Sequence, residues 1–180
     1  MTGTPPSADD QWVRSAVGRF EGPLTLYAAR LLRGDVEAAR DVVQETFLRL
    51  CTQDRAQVEP HLAEWLFTVC RNRTLDVLRK EGRMARLSEE QLHVVQSPDP
   101  SPPDVLERRD DAAHALRLLE ALPEGQREVL RLKFQNGFSY REISRITGHS
   151  VTNVGYLMHA GMKTIRGRMR AGDQPTPAQA

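Results

Sequence analysis

The chain has 180 residues and carries 25 Lys and Arg against 24 Asp and Glu, a formal net charge of +1. That length allows one ordinary domain or two small ones, and no apolar run approaches the roughly 20 residues needed to span a bilayer, so membrane insertion is not expected. Two cysteines, Cys51 and Cys70, are too few for a disulfide framework, and "MTGTPPSADDQW" lacks the basic start and apolar stretch of a secretory signal, so a cytoplasmic protein with two buried free thiols is expected.

The first periodic segment runs from about Gln11 to Arg33, with Val13, Val17, Phe20, Leu24, Tyr27 and Leu31 at steps of three and four. Pro23 predicts a kink or a division within it. Gly34 suits the position just past a helix and Asp35 an N-cap, with Glu37 in the next first turn, so "RGDVEAARDVVQETFLRL" stops one helix and starts another. A third helix, about Leu62 to Lys80, carries Leu62, Trp65, Leu66, Val69, Leu75 and Leu78. Three such helices bury one another's apolar stripes as a compact bundle.

From Gly82 to Asp111 the texture changes. "SPDPSPPD" cannot lie inside a helix or sheet, and Ser88 to Asp111 holds seven acidic residues against Arg108 and Arg109. An acidic, extended linker is expected there. A second helical unit starts near Val105 to Ala112. Pro123 is expected at the first position of its next helix, "EGQREVLRLKF". Asn136-Gly137 stops that helix. Ser139 with Glu142 three residues on is a capping box. Gly148 supplies a turn, and a last helix runs from about Ser150 to Arg170, with Val151, Val154, Met158, Met162, Ile165 and Met169 as its buried stripe. Gly155 and Gly161 edge that stripe, where close helix packing can use them. Two short helices around a tight turn are the layout of a helix-turn-helix.

Charge is unevenly placed. Arg71, Arg73, Arg79, Lys80, Arg83 and Arg86 crowd the end of the third helix. Between Gln126 and Arg170 stand Arg127, Arg131, Lys133, Arg141, Arg145, Lys163, Arg166, Arg168 and Arg170, opposed only by Glu128 and Glu142. Two basic zones on two helical units suggest two contacts with one polyanion.

Three stretches, "DVVQETFLRL" (Asp41 to Leu50), "EWLFTVCRNRTLDVLRKEGR" (Glu64 to Arg83) and "LEALPEGQREVLRLKFQNGFSYREISRITGHSVTNV" (Leu119 to Val154), resemble the sigma-70 family, specifically its small extracytoplasmic-function members. The resemblance implies an all-α chain of two small helical domains joined by an extended linker. Residues 10–86 correspond to sigma region 2, a three-helix-type bundle, and 87–111 to the acidic Pro-rich linker. Residues 112–170 correspond to sigma region 4, a helix-turn-helix, and 171–180 form a disordered tail.

The family directs bacterial core RNA polymerase to promoters, and each motif then takes an expected role. Val43, Phe47 and Leu50 share one helical face, while Asp41, Gln44, Glu45 and Leu48 lie largely off it, as a surface for a partner helix. The resemblance makes that partner the clamp of the polymerase's largest subunit. Arg71, Asn72, Arg79, Lys80 and Arg83 would hold the minus-ten strand as single-stranded DNA, with Asn72 reading a flipped base. The loop "TQDRAQVEPH" (Thr52 to His61) corresponds to the family's variable specificity loop. At the minus-thirty-five duplex, Tyr140 and Arg141 would touch phosphates, while Ser150, Thr152, Asn153 and Tyr156 face the groove and Lys163 and Arg166 serve the backbone. Many family members carry Lys, Ser and Arg where this chain has Gly155, Tyr156 and Leu157, and Arg where it has Ala160. Charged readout at those positions therefore does not carry over. An anti-sigma factor is a further expected partner.

The five histidines show no spacing with cysteine that suits zinc. No phosphate loop, nucleophile motif or carboxylate pair appears, so neither catalysis nor a cofactor is expected. An ordinary helix-turn-helix regulator would not need the "RNRTLDVLRKEGR" track, and a sigma mimic that titrates an anti-sigma factor would be expected to lose its basic surfaces.

Overall fold

The computed structural model describes residues 8–89 and 116–172, with side chains over 9–82 and 116–169. Two compact units divide the chain. Regular structure among the described residues is entirely helical.

The N-terminal unit consists of α1 (Ala8–Leu31), α2 (Val36–Leu50), the one-turn α3 (Arg55–Val58), a 3-10 turn (Glu59–His61) and α4 (Leu62–Glu89). Helices α1, α2 and α4 pack on one another in all three pairings. Phe20, Leu24 and Tyr27 of α1, Val42, Val43, Phe47 and Leu50 of α2, and Leu66, Phe67 and Cys70 of α4 fill the centre. The Tyr27 and Phe67 rings meet with centroids 5.2 Å apart at 51°, a tilted packing that aromatic quadrupoles favour.

The expected division at Pro23 does not occur; α1 is one continuous helix through it. Pro23 is exposed, so its ring faces solvent. Burial of Phe20 on one side and Leu24, Tyr27 and Ala28 on the other offsets the roughly 3 kcal/mol that an interior proline costs. The chain then reverses through Arg33 at φ 57° and Gly34 at φ 97°. Gly34 donates its N–H to the Ala29 carbonyl at 2.8 Å, closing the end of α1 as expected. The Asp35 carboxylate caps α2 by accepting from the Ala38 N–H at 2.9 Å.

Helix α4 is longer than its apolar pattern suggests. Its backbone stays helical to Glu89, because Met84, Ala85, Arg86 and Leu87 are good helix formers that carry it past the roughly 1 kcal/mol cost of Gly82. The first residues of the expected linker are therefore helix. The rest of the linker, the expected start of the second unit at Val105 to Ala112, and residues 173–180 of the expected tail lie outside the described residues.

The C-terminal unit has a helical stretch over 116–120, then α5 (Glu124–Phe134), α6 (Tyr140–Thr147) and α7 (Val151–Gly172). Pro123 sits one place earlier than expected, as the N-cap of α5 with ψ 143°. Phe138 is buried and donates its N–H to the Leu132 carbonyl at 3.2 Å, folding the Gly137 turn (φ 77°) back on α5. The core is Leu118, Leu122, Val129, Leu130, Leu132, Ile143, Ile146, Val154 and Met158. The expected stripe of α7 holds at its centre only: Val151 and Met169 are exposed, since no described element covers the ends of that helix. Gly161 packs closely as expected; a Cβ there would lie 2.7 Å from Leu130 Cδ1. Gly155 has no such constraint.

Candidate polymerase and nucleic-acid surfaces

Three surfaces hold the residues singled out by the sequence. On α2 the buried face is fixed by Val42, Val43, Phe47 and Leu50, and Thr46 turns its hydroxyl back onto the Val42 carbonyl at 2.8 Å. The opposite face presents Asp41, Gln44 and Leu48, with Leu48 61% exposed. Glu45 stands apart from them. It is half-buried and accepts an ion-paired hydrogen bond from Arg73 Nε of α4, so it ties two helices of its own unit.

An open groove of about 450 Å³ runs between α1 and α2. Gln44, Phe47 and Leu48 line one wall and Val13 and Val17 the other. Periodicity assigns both valines to the core, yet they are only half-buried; their place at the margin of the α1 stripe is the signal for this wall. Cys51 also lines the groove and is exposed, against expectation. It follows the last turn of α2, where no described helix covers it. Cys70 is buried as expected. Burial pushes its thiol up to about 12, with hydrogen bonds to Thr74 and Thr46 pulling the other way.

On α4, Asn72 and Arg79 are exposed and seven residues apart, hence on one face about 10 Å apart. Lys80 is exposed and Arg71 half-buried; helical rotation sets them on opposite flanks of that face. Arg79 reaches Asp76 at 3.0 Å, an exposed pair that nucleic acid can displace at little cost. The side chain of Arg83 lies outside the described residues. The four described residues thus spread around the helix rather than forming one stripe.

The segment between α2 and α4 is more ordered than its composition suggests. Asp54 caps α3 by accepting from the Ala56 N–H at 2.9 Å, and Val58 is buried. Arg55 forms a fork with Glu59, at 3.1 and 2.9 Å, and lies 5.7 Å from the Trp12 ring centroid. The hydrogen bond from Arg55 holds the Glu59 carboxyl below its usual value.

In the C-terminal unit the capping box is complete. Ser139 Oγ accepts from the Glu142 N–H at 3.3 Å, and Glu142 accepts from the Ser139 N–H at 2.7 Å. Helix α6 ends at Gly148 with φ 76°. Ser150 starts α7 as a cap, accepting from the Asn153 N–H at 3.1 Å, which leaves its hydroxyl hydrogen and one lone pair for outward contacts. Thr152, Tyr156, Lys163 and Arg166 are exposed on the outward face of α7, and Asn153 is half-buried on one flank. Tyr140 and Arg141, both exposed, open α6.

Not every cation of the second basic zone faces outward. Arg131 is buried in an ion pair with Glu120, and Arg127 donates to the Glu120 carbonyl at 2.8 Å. These two staple α5 to the preceding turn, which spacing alone does not reveal because Glu120 lies outside the window. Phe134, 66% exposed at the end of α5, is a surface aromatic. No group of three metal-ligating side chains occurs among the described residues, and no helix there is long and apolar enough to cross a membrane.

Family models for sigma-70 region 2 and sigma-70 region 4 match residues 17–84 and 115–165. The chain is 30% identical over 165 residues to the ECF RNA polymerase sigma factor SigL of Mycobacterium tuberculosis, covering 89% of this chain and 90% of that relative. It is 34% identical over 124 residues to the ECF RNA polymerase sigma factor EcfG of Rhodopseudomonas palustris, covering 68% of this chain and 66% of that relative. Among solved structures it resembles the sigma factor RpoE in complex with the anti-sigma factor NepR from Bartonella quintana, with a TM-score of 0.62 over 91% of this chain and 99% of that one. At 21% identity that likeness is one of fold.

Proposed function

The chain belongs to the sigma-70 family as an extracytoplasmic-function sigma factor, and on that premise we propose how its surfaces direct core RNA polymerase to promoters. Residues 10–86 act as region 2, 87–111 as the linker and 112–170 as region 4. Asp41, Gln44 and Leu48, with the groove beside them, dock on the clamp of the polymerase's largest subunit. Glu45 contributes by fixing α2 against α4 through Arg73. Asn72 and Arg79 take the opened minus-ten strand on the outward face of α4, with Arg71, Lys80 and Arg83 alongside. The C-terminal unit takes the minus-thirty-five duplex through Tyr140, Arg141, Thr152, Asn153, Tyr156, Lys163 and Arg166, with Ser150 mainly fixing the start of α7. The protein acts in the cytoplasm, where core polymerase is found, and an anti-sigma factor that covers these surfaces holds it inactive.

One observation carries the docking assignment. Leu48 is 61% exposed in the body of α2, where Val42, Val43, Phe47 and Leu50 are buried and only Val36, at the helix start, is also an exposed large apolar residue; it borders a groove with apolar residues on both walls. An exposed leucine beside such a groove is what a partner helix requires. A regulator that never meets polymerase would need neither this surface nor both family regions. Run-off transcription with purified core polymerase and a promoter library tests the reading. Promoter-dependent initiation is expected, and its absence in a folded preparation sinks the assignment.

A further inference from the structure

A Cβ built on Gly155 would meet one group within 4 Å, Cε2 of Tyr140 at 3.9 Å. The edge of the Tyr140 ring thus lies beside the place that a side chain at Gly155 would take. Tyr140 is the first residue of α6, directly after the Ser139 cap that fixes its backbone. Lys133 of α5 brings its ammonium to 5.8 Å from the ring centroid. Three helices therefore restrain a ring that is still 40% exposed. A restrained aromatic gives up little conformational freedom when it binds.

Helical spacing puts Gly155 on one ridge with Thr152 and His159, three and four residues away. The ring consequently extends the outward face of α7 beside Thr152. Tyr156, 68% exposed, stands one turn from Thr152 on the same face. From Val151 to Met158 there is no Lys or Arg. The first cation of the helix, Lys163, is eleven residues past Thr152, about 16 Å along the axis. Recognition helices read bases with their N-terminal residues, while the preceding helix crosses the phosphates, which leaves Arg141 for the backbone. Guanine is read by paired donors from Arg or Lys, adenine by an amide, and thymine by apolar contact with its methyl group. This face offers ring carbons and a threonine methyl, with half-buried Asn153 on the flank away from Gly155.

We infer that Tyr140, seated on Gly155, is a specificity-determining residue of the helix-turn-helix, and that the face it completes selects thymine methyl groups instead of guanine. The inference rests on the C-terminal unit being the minus-thirty-five reader. Its test uses the full chain with core polymerase, on a promoter recovered from the library. Each minus-thirty-five thymine is replaced by deoxyuridine, which removes the methyl group alone. At one or more positions the wild type should lose about fourfold in initiation, the worth of one buried methyl. Tyr140→Ala and Gly155→Leu should lose that sensitivity. Tyr140→Phe and Gly155→Ala, which keep the ring in place, should retain it. Initiation that depends on the minus-thirty-five sequence but ignores every deoxyuridine overturns the inference and leaves the sigma-factor reading intact. Tyr140→Phe behaving like Tyr140→Ala also overturns it, because the hydroxyl rather than the ring is then the contact. Loss of all promoter-dependent initiation by the wild type removes both.

Discussion

Arg73 of α4 donates its Nε hydrogen to the Glu45 carboxylate of α2, so one residue of the acidic surface on α2 is already held inside its own unit. Its neighbours Gln44 and Leu48 face outward. Sequence spacing groups these three with Asp41, and the geometry separates Glu45, which ties two helices, from the residues left exposed.

That separation gives opposite signatures. Gln44→Arg with Leu48→Arg should abolish co-purification with core polymerase and leave stability within about 0.5 kcal/mol, as surface changes do. Glu45→Gln should cost up to about 1 kcal/mol, because the pair is partly exposed and solvent screens it, and should leave most core binding in place. Thermal melting and affinity co-purification read the two effects. Equal loss of binding in both variants would return Glu45 to the interface.

Arg79→Ala with Lys80→Ala should slow open-complex formation several-fold without removing core binding. Both residues are exposed, and the Asp76 contact of Arg79 is on the surface, so thermal stability should stay nearly constant. The defect should shrink as salt rises, since fewer phosphate contacts mean a shallower salt dependence. Permanganate footprinting at increasing ionic strength follows it; an unchanged footprint argues against the track.

The two glycines of α7 should respond differently to the same substitution. At Gly161 a methyl would press on Leu130 Cδ1 at 2.7 Å, with Gln126 Cβ at 3.4 Å and Leu122 Cδ1 at 3.5 Å behind it. Gly161→Ala should therefore destabilise the C-terminal unit by about 1–3 kcal/mol. Gly155→Ala meets only ordinary contact at 3.9 Å and should gain up to about 1 kcal/mol of helix propensity. Urea denaturation of both variants decides it, and equal midpoints would mean that α7 does not pack on α5 at Gly161 as described.

The two thiols should differ as sharply. Cys70 is buried with its thiol pushed up to about 12, so at neutral pH it offers almost no thiolate. Cys51 is exposed. A disulfide-exchange reagent should titrate one thiol per native chain and two after denaturation. The adduct on Cys51 stands in the groove with Leu48 and should weaken core co-purification. Two fast-reacting thiols in the native protein would contradict the packing of α4.

Much of the fold was legible because it rests on local chemistry. Asp35, the Ser139–Glu142 box, and the turns at Gly34, Gly137 and Gly148 are signalled by residue type alone, and all five occur. What escaped depends on groups distant in sequence. Pro23 is tolerated because the helix is held on both sides by its core. Val13 and Val17 fit the apolar period but sit where α1 and α2 part. Arg127 and Arg131 count as surface charge until Glu120 is seen beside them. The approach of the Tyr140 ring to Gly155 is likewise absent from the spacing. Periodicity reports which way a side chain faces, and it is silent on which neighbour is waiting there.

The segment between α2 and α4 is held by few positions: the Asp54 cap, the Arg55–Glu59 fork against Trp12, and buried Val58. Thr52, Gln53, Ala56 and Gln57 are exposed and take no part in those anchors as side chains, apart from a local bond between Thr52 and its neighbours. Architecture and outward chemistry are thereby written in different letters of the same ten-residue phrase. Substitution can revise the outward letters one at a time while the frame stays standing, so the surface chemistry of this segment can change without passing through an unfolded form.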